Sequence, residues 1–196
     1  MDIDLLAVKA CEDRQAFGQL YELLYPRVYN YVRYRCEDLA SAEELVSRIF
    51  ERLLTAISSY NPQRGPFEAW VFAIARNQVT SHYRVQALRT FLPWEWFQHA
   101  TDPAPRPEEA ALLKEAEAAL LSALPLLKPQ QRDLLGLKYG SGLSNLQIAA
   151  LTGLSENNVA VTLHRAVAAL RSKILDPMAE LEPGRPCQKE AEHAKE

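Results

Sequence analysis

The 196-residue chain holds only seven glycines and has no run of alternating β-branched residues. Both absences argue against a sheet of any size, because strands show period-two patterning between glycine- or proline-rich turns. Cysteine is scarce: Cys11, Cys36 and Cys187 are odd in number, far apart and without a C-x-x-C pair. That spacing excludes a disulfide framework or a cysteine metal site and points to a reducing compartment. No apolar run reaches the roughly 18 residues needed to span a bilayer, and no basic-then-apolar leader pattern is present at the N-terminus. The expected location is therefore cytoplasmic, with no membrane insertion. A glycine-rich phosphate loop, a metal-ligand cluster and a nucleophile paired with a base are also missing. His82, His99, His164 and His193 are scattered, and the paired acids Glu43-Glu44 and Glu108-Glu109 stand at helix starts, where the helix dipole favours them. The chain is read as no enzyme, with no catalytic residue, metal or cofactor.

What is present is apolar bulk and segregated charge. Apolar residues make up 48% of the chain, enough for a packed core, and Ala and Leu abound, both strong helix formers. The net charge of −3 hides an uneven distribution. Ala69 to Trp94 contains no acid but carries Arg76, Arg84 and Arg89. Lys128 to Leu175 has only Asp133 and Glu156 against Lys128, Arg132, Lys138, Arg165, Arg171 and Lys173. Acids gather at the N-terminus, around Glu95 to Glu117 and in the tail. Two basic stretches joined by an acidic connector suit a polyanionic partner.

The pattern predicts an all-α chain of two small helical domains joined by a flexible linker. Phe17, Leu20, Tyr21, Leu24, Tyr25, Val28, Tyr31 and Val32 recur at helical spacing over 12–36, and Pro26 is expected to kink or divide that helix. Ser41 is the expected N-cap of a second helix reaching about Ser58. The turn-rich stretch Ser59 to Pro66 reads as a loop, and Phe67 to about Arg89 as a further helix with Trp70 in its core. Residues 1–90 thus form the first domain. Residues 91–107, with Pro93, Pro103, Pro105 and Pro107, form a linker whose first half is aromatic (Phe91, Trp94, Trp96 and Phe97). Residues 108–176 form the second domain, and 177–196 a disordered tail.

Within the second domain, Ser144-Asn145-Leu146-Gln147 has the form of a capping box. Gly153 ends the helix so started, because the turn needs positive φ. Leu154 fills the corner and Ser155 caps the next helix, which turns Val159, Leu163 and Ala166 inward. Ala149, Gly153 and Val159 stand in the spacing A-x3-G-x5-V of a helix-turn-helix. The outer face of its second helix then carries Glu156, Asn157, Asn158, Ala160, Val161, Thr162, His164 and Arg165. Asn suits adenine edges, and Arg suits guanine or phosphate.

This order of features resembles the extracytoplasmic-function (ECF) sigma factors of bacterial RNA polymerase, in the sigma-70 family, over roughly Ala16–Arg89 and Ala119–Ile174. Phe17 to Tyr21 with Tyr25 to Tyr29 resembles the opening helix of family region two, and Ala42 to Val46 with Phe50 its polymerase-binding helix. Arg64 to Trp70 followed by Ile74 to Asn77 is similar to the loop and helix that engage the minus-ten element. Leu124-Pro125, Gln130 to Arg132, Tyr139 and Leu143 through Arg171 resemble region four, which reads the minus-thirty-five element.

The resemblance implies polymerase contacts at Glu43, Glu44, Ser47, Arg48, Phe50 and Glu51. It implies minus-ten contacts at Tyr60, Asn61, Arg64, Arg76, Asn77, Thr80, Ser81 and Arg84, with a base flipped into the loop Ser59 to Pro66. In the helix-turn-helix it implies contacts at Ser144, Ser155, Asn157, Asn158, Thr162, His164 and Arg165. The implied partners are core RNA polymerase, promoter DNA and an anti-sigma factor, for a chain expected to be a monomer when free. The chain departs from the family where Ser41 and Arg48 replace acids, Ser47 replaces Gln, and Ala160-Val161-Thr162 replaces a Lys-Ser-Arg run. These departures keep two alternatives open: a sigma-like regulator that binds polymerase or an anti-sigma partner without initiating, and a stand-alone helix-turn-helix protein.

Overall fold

The computed structural model describes residues 2–89 and 117–175. Every regular element among them is helical. Helices α1 (Ile3–Ala10), α2 (Arg14–Arg35), α3 (Leu39–Ala56) and α4 (Phe67–Arg89) form the first module. Helices α5 (described over 117–123), α6 (Pro129–Leu135), α7 (Asn145–Thr152) and α8 (Glu156–Leu175) form the second. The linker read at 91–107, the start of the second domain at 108 and the tail at 177–196 lie outside the described residues.

Three aspartates start the first three helices. Asp2, Asp13 and Asp38 accept the backbone N–H groups of Asp4, Gln15 and Ser41 at 2.9, 2.8 and 2.7 Å. Each satisfies an amide that the helix itself leaves unpaired. Ser41 is therefore not the cap of α3, as expected above. The carboxylate three residues upstream reaches the same position and moves the helix start to Leu39. Nor does Pro26 divide α2, which runs unbroken over 22 residues. Pro26 is exposed, so the carbonyl that its missing N–H leaves unpaired can turn to water.

The core of the first module is the meeting of α2, α3 and α4. Leu20, Leu24, Val28 and Val32 pack with Leu45, Ile49 and Leu53 and with Phe67, Val71, Phe72, Ala75 and Val79, all buried. Each of the Val, Leu, Ile and Phe side chains among them contributes about 1.5–3 kcal/mol. The second module closes around Leu124, Leu134, Leu137, Ile148, Val159, Leu163 and Ala166. Here α6 runs straight into a single π-helical turn, Gly136–Gly140.

The two modules share one core rather than standing apart. The π turn lies on α2, α6 touches α2, and α7 meets α4. Glycine makes this approach possible. A Cβ on Gly140 would lie 2.8 Å from the Tyr31 backbone nitrogen and 2.9 Å from the Asn30 carbonyl carbon. No helix among the described residues is long and apolar enough to cross a membrane.

Candidate nucleic-acid interface

The loop between α3 and α4 consists of two 3-10 turns, Ile57–Ser59 and Pro62–Arg64. The Asn61 side chain caps the second by accepting the Gln63 N–H at 2.9 Å. Asn61, Pro62, Gln63 and Arg64 are exposed at the tip. Tyr60 is not: it is 8% exposed, with its ring edge-on to Phe67 at 4.9 Å and near Trp70 at 5.7 Å. Its hydroxyl faces Asp4 Oδ1 at 3.1 Å and the Gly65 carbonyl at 3.3 Å. Burial, followed by the Asp4 contact, pushes its pKa up to about 12. Tyr60 is placed as an anchor of the loop rather than as an open stacking platform. Trp70 is half-buried on the core, stacked on Phe67.

Beyond Glu68, α4 carries no acid. Asn77, Thr80, Ser81 and Arg84 recur at the three- and four-residue steps that align side chains on one face. Asn77, Thr80 and Arg84 are exposed and Ser81 half-buried. Arg76 is turned toward the second module, where its Nε donates to Asp133 Oδ2 at 2.7 Å.

Asp133 is 6% exposed and gathers three donors. Tyr31 Oη donates to Oδ1 at 2.9 Å, and Arg35 Nη1 lies 3.2 Å from the same oxygen. Tyr31 is fully buried, and burial together with the Asp133 charge holds its hydroxyl protonated well above the ordinary tyrosine range. Further bonds flank this cluster. Arg27 Nε donates to the Ser141 carbonyl at 2.7 Å, and its guanidinium pairs with Glu68. Arg35 donates to the Pro129 carbonyl at 2.9 Å, and Arg132 lies 3.5 Å from Glu37. A buried carboxylate is tolerated only with such partners. Arg27, Tyr31, Arg35 and Asp133 were missed as a constellation in the sequence. The visible signal was Asp133 itself, one of two acids in a basic stretch.

The helix-turn-helix follows the expected design. Ser144 and Gln147 exchange both bonds of a capping box, at 3.1 and 2.8 Å. Gly153 adopts φ 75° and receives the chain as it leaves α7. Ser155 Oγ accepts the Asn158 N–H at 3.2 Å. Ser144 and Ser155 thus both serve as caps, at exposed positions. Val159, Leu163 and Ala166 are buried, while Asn157, Asn158, Val161, His164 and Arg165 are exposed and Ala160 and Thr162 half-buried.

On the far side of the first module, α3 exposes Glu43, Glu44, Ser47, Arg48 and Glu51. Arg48 Nη2 lies 2.5 Å from Glu44 Oε1, one helical turn away. Beside them is an open groove of about 460 Å³ lined by Phe17, Tyr21, Tyr25, Val46, Phe50 and Leu54. Phe50 is buried and forms the floor, 4.5 Å from the Tyr21 ring. Among the described residues, no group of three or more His, Cys, Asp or Glu is placed to hold a metal ion.

The chain matches the models of two families. Residues 20–89 match Sigma-70 region 2, and residues 117–170 match Sigma-70 region 4. The chain is 34% identical over 164 residues to the ECF RNA polymerase sigma factor BldN of Streptomyces coelicolor, covering 84% of this chain and 62% of that one. It is 33% identical to the ECF sigma factor ShbA of Streptomyces griseus, with 87% and 94% covered. The solved structure of CnrH in complex with the cytosolic domain of CnrY superposes with a TM-score of 0.66 at 28% identity, covering 90% of this chain and 99% of that one. CnrH is an RNA polymerase sigma factor of Cupriavidus metallidurans.

Proposed function

The chain belongs to the ECF sigma factors of the sigma-70 family, non-enzymatic factors that direct RNA polymerase to promoters, and from that premise we propose how its two modules divide the work. Residues 1–90 bind polymerase and the minus-ten element. Residues 108–176 bind the minus-thirty-five element through α8, with 91–107 as the connector and 177–196 outside both.

Polymerase docks on α3 through Glu43, Glu44, Ser47, Arg48 and Glu51, with the aromatic groove over Phe50 beside them. The reversed charge at Arg48 is offset by Glu44 on the same helix, which supports a working surface. At the minus-ten element, Asn61 and Arg64 meet the flipped base, and Asn77, Thr80, Ser81 and Arg84 follow the strand. Arg76 joins them only when the modules part, because its Nε is held by Asp133. In α8, Asn157, Asn158, Thr162, His164 and Arg165 face the major groove, with α7 and α8 set by the Ser144 and Ser155 caps.

The observation that carries this reading is the acid-free face of α4 opening beside the exposed loop tip. A backbone-tracking face needs cations and small polar groups and no carboxylate. The similarity to CnrH, solved with the cytosolic domain of CnrY, supports a protein that holds this chain as well, which we assign as an anti-sigma factor. We place the free factor in the cytoplasm as a monomer.

The test mixes the purified chain with core polymerase and a genomic promoter library. Defined start sites with permanganate-reactive thymines are the expected result. Core binding without opened promoters leaves a regulator. DNA binding that ignores polymerase leaves a stand-alone helix-turn-helix protein.

A further inference from the structure

Helix α1 lies before residue 20, where the match to Sigma-70 region 2 begins. It nevertheless reaches the loop that presents the minus-ten contacts, and it does so at three places. The thiol of Cys11, the residue that ends α1, lies 3.4 Å from the Ile57 carbonyl, where the loop begins, and 3.6 Å from the Ala7 carbonyl of its own helix. Asp4 Oδ1 accepts the backbone N–H of Phe67, the first residue of α4, at 2.6 Å, where the loop ends. The same oxygen lies 3.1 Å from the Tyr60 hydroxyl in the middle. That hydroxyl has one proton to donate and a second acceptor, the Gly65 carbonyl, at 3.3 Å. One carboxylate oxygen thus holds both the start of α4 and the loop's buried tyrosine. Between the ties, Asn61 to Arg64 stay exposed.

A loop that must be ordered when it binds gives up affinity to conformational entropy, whereas one held beforehand does not. A charge-assisted bond to a helix N-terminus is among the stronger ties available. We propose that α1 is the brace of the base-capturing loop, and that Asp4 is a positioning residue for discrimination of the minus-ten nontemplate strand, acting through Tyr60 and Phe67. The inference rests on the functional reading above. Asp4 touches no DNA in this scheme: it holds the backbone in the shape that Asn61 and Arg64 need.

The test uses the full chain assembled with core polymerase. The probe is a fluorescent single-stranded oligonucleotide carrying the minus-ten element preferred by the wild-type holoenzyme, measured against one with the element scrambled. Asp4→Ala is expected to shrink the preferred-to-scrambled affinity ratio by about tenfold. Tyr60→Phe, which keeps the ring packing and removes one oxygen, should move the ratio in the same direction by less. Asp4→Asn keeps an acceptor oxygen and should restore most of the ratio. Core affinity should stay within about twofold throughout, as for a substitution away from that surface. If the ratio holds in Asp4→Ala and Tyr60→Phe while only the melting temperature falls, α1 is a structural cap and the proposal is overturned. A wild-type holoenzyme that does not tell the two oligonucleotides apart gives a different pattern: the functional reading fails, and this inference fails with it.

Discussion

Two sets of opposite charges lie on this helical bundle, and burial separates what they do. Between the modules, the Asp133 side chain is 9% exposed and Arg35 11%. On α3, Arg48 and Glu44 are 53% and 57% exposed. The chemistry is the same, guanidinium on carboxylate, but the dielectric around it is not. The inner carboxylate has exchanged water for Tyr31, Arg35 and Arg76, and among the described residues it is the one acceptor of the fully buried Tyr31 hydroxyl. The outer pair keeps its water and is screened by salt, so an incoming protein can replace either half at little cost. The inner set therefore holds a conformation, and the outer set leaves a surface open to exchange. The inner set also holds Arg76 away from the α4 face, so on the function proposed above module packing and promoter binding would compete for one guanidinium.

The largest effect is expected from removing the inner acid. Asp133→Ala leaves the buried Tyr31 hydroxyl without its acceptor and takes the counter-charge from Arg76 and from Arg35, which keeps the Pro129 carbonyl, a loss of about 3 kcal/mol if the modules stay together. Separation relieves most of it. Small-angle scattering should then show a larger radius of gyration, and the free factor should bind promoter DNA more tightly through the released Arg76. An unchanged radius with unchanged DNA affinity breaks the contrast drawn here. Gly140→Ala sharpens it, because it alters no charge. Its new Cβ would lie 2.8 Å from a backbone nitrogen of α2, which cannot step aside as a side-chain end could. The cost is about 1–3 kcal/mol, and the same expansion should appear to a smaller degree. Expansion in Asp133→Ala alone would assign the interface to charge rather than to packing.

A third effect separates the two sets by pH. Burial raises the pKa of Tyr31, that of Tyr60 to about 12, and that of Tyr83, a half-buried residue of α4 whose hydroxyl donates to the Arg35 carbonyl. In the unfolded chain these phenols titrate near their ordinary value of about 10. Below that pH both states are protonated and the stability is fully present. Above it the unfolded chain releases its protons first, so stability falls until the folded values are reached. The expected slope is about 1.4 kcal/mol per pH unit for each tyrosine. Urea unfolding at a series of alkaline pH values should show it, and Tyr31→Phe should remove one tyrosine's share of the slope. A profile flat through this range contradicts the buried placement of Tyr31 and Tyr60 and the half-buried one of Tyr83.

What was legible in the sequence was local. The capping box at Ser144 and Gln147, the left-handed turn at Gly153 and the start of α4 were readable because their causes lie within a few residues. The cap at Ser41 failed for a local reason too: Asp38, three residues earlier, accepts the Ser41 N–H and starts the helix at Leu39, so Ser41 already stands inside the first turn. The module interface was not legible, because Tyr31 and Asp133 stand 102 residues apart and no spacing rule joins them. Tyr60 was read as a base contact from its loop, yet Asp4, 56 residues upstream, takes its hydroxyl into the interior. Arg76 was read as a minus-ten contact on a stretch without acids, but its present partner, Asp133, depends on where the second module sits. Sequence pattern identifies the polar groups on each helix; only the fold shows which of them are already occupied.

The smallest effect belongs to the outer pair, and it tests whether exposure leaves that pair free for exchange. In a double-mutant cycle of Glu44→Gln and Arg48→Gln, the coupling should be about 0.3–0.5 kcal/mol in thermal stability, the range of an exposed i,i+4 pair. It should fade as salt is raised. Affinity for core polymerase is expected to respond differently. Glu44→Gln leaves Arg48 uncompensated, whereas Arg48→Glu returns the acid found in the family at this position and places a second carboxylate beside Glu44 on the docking face. If α3 meets basic groups on polymerase, Arg48→Glu strengthens binding and Glu44→Gln weakens it, although both barely change stability. A cycle with several kcal/mol of stability coupling would mean that the pair behaves like the buried one, and that burial is not what divides the two.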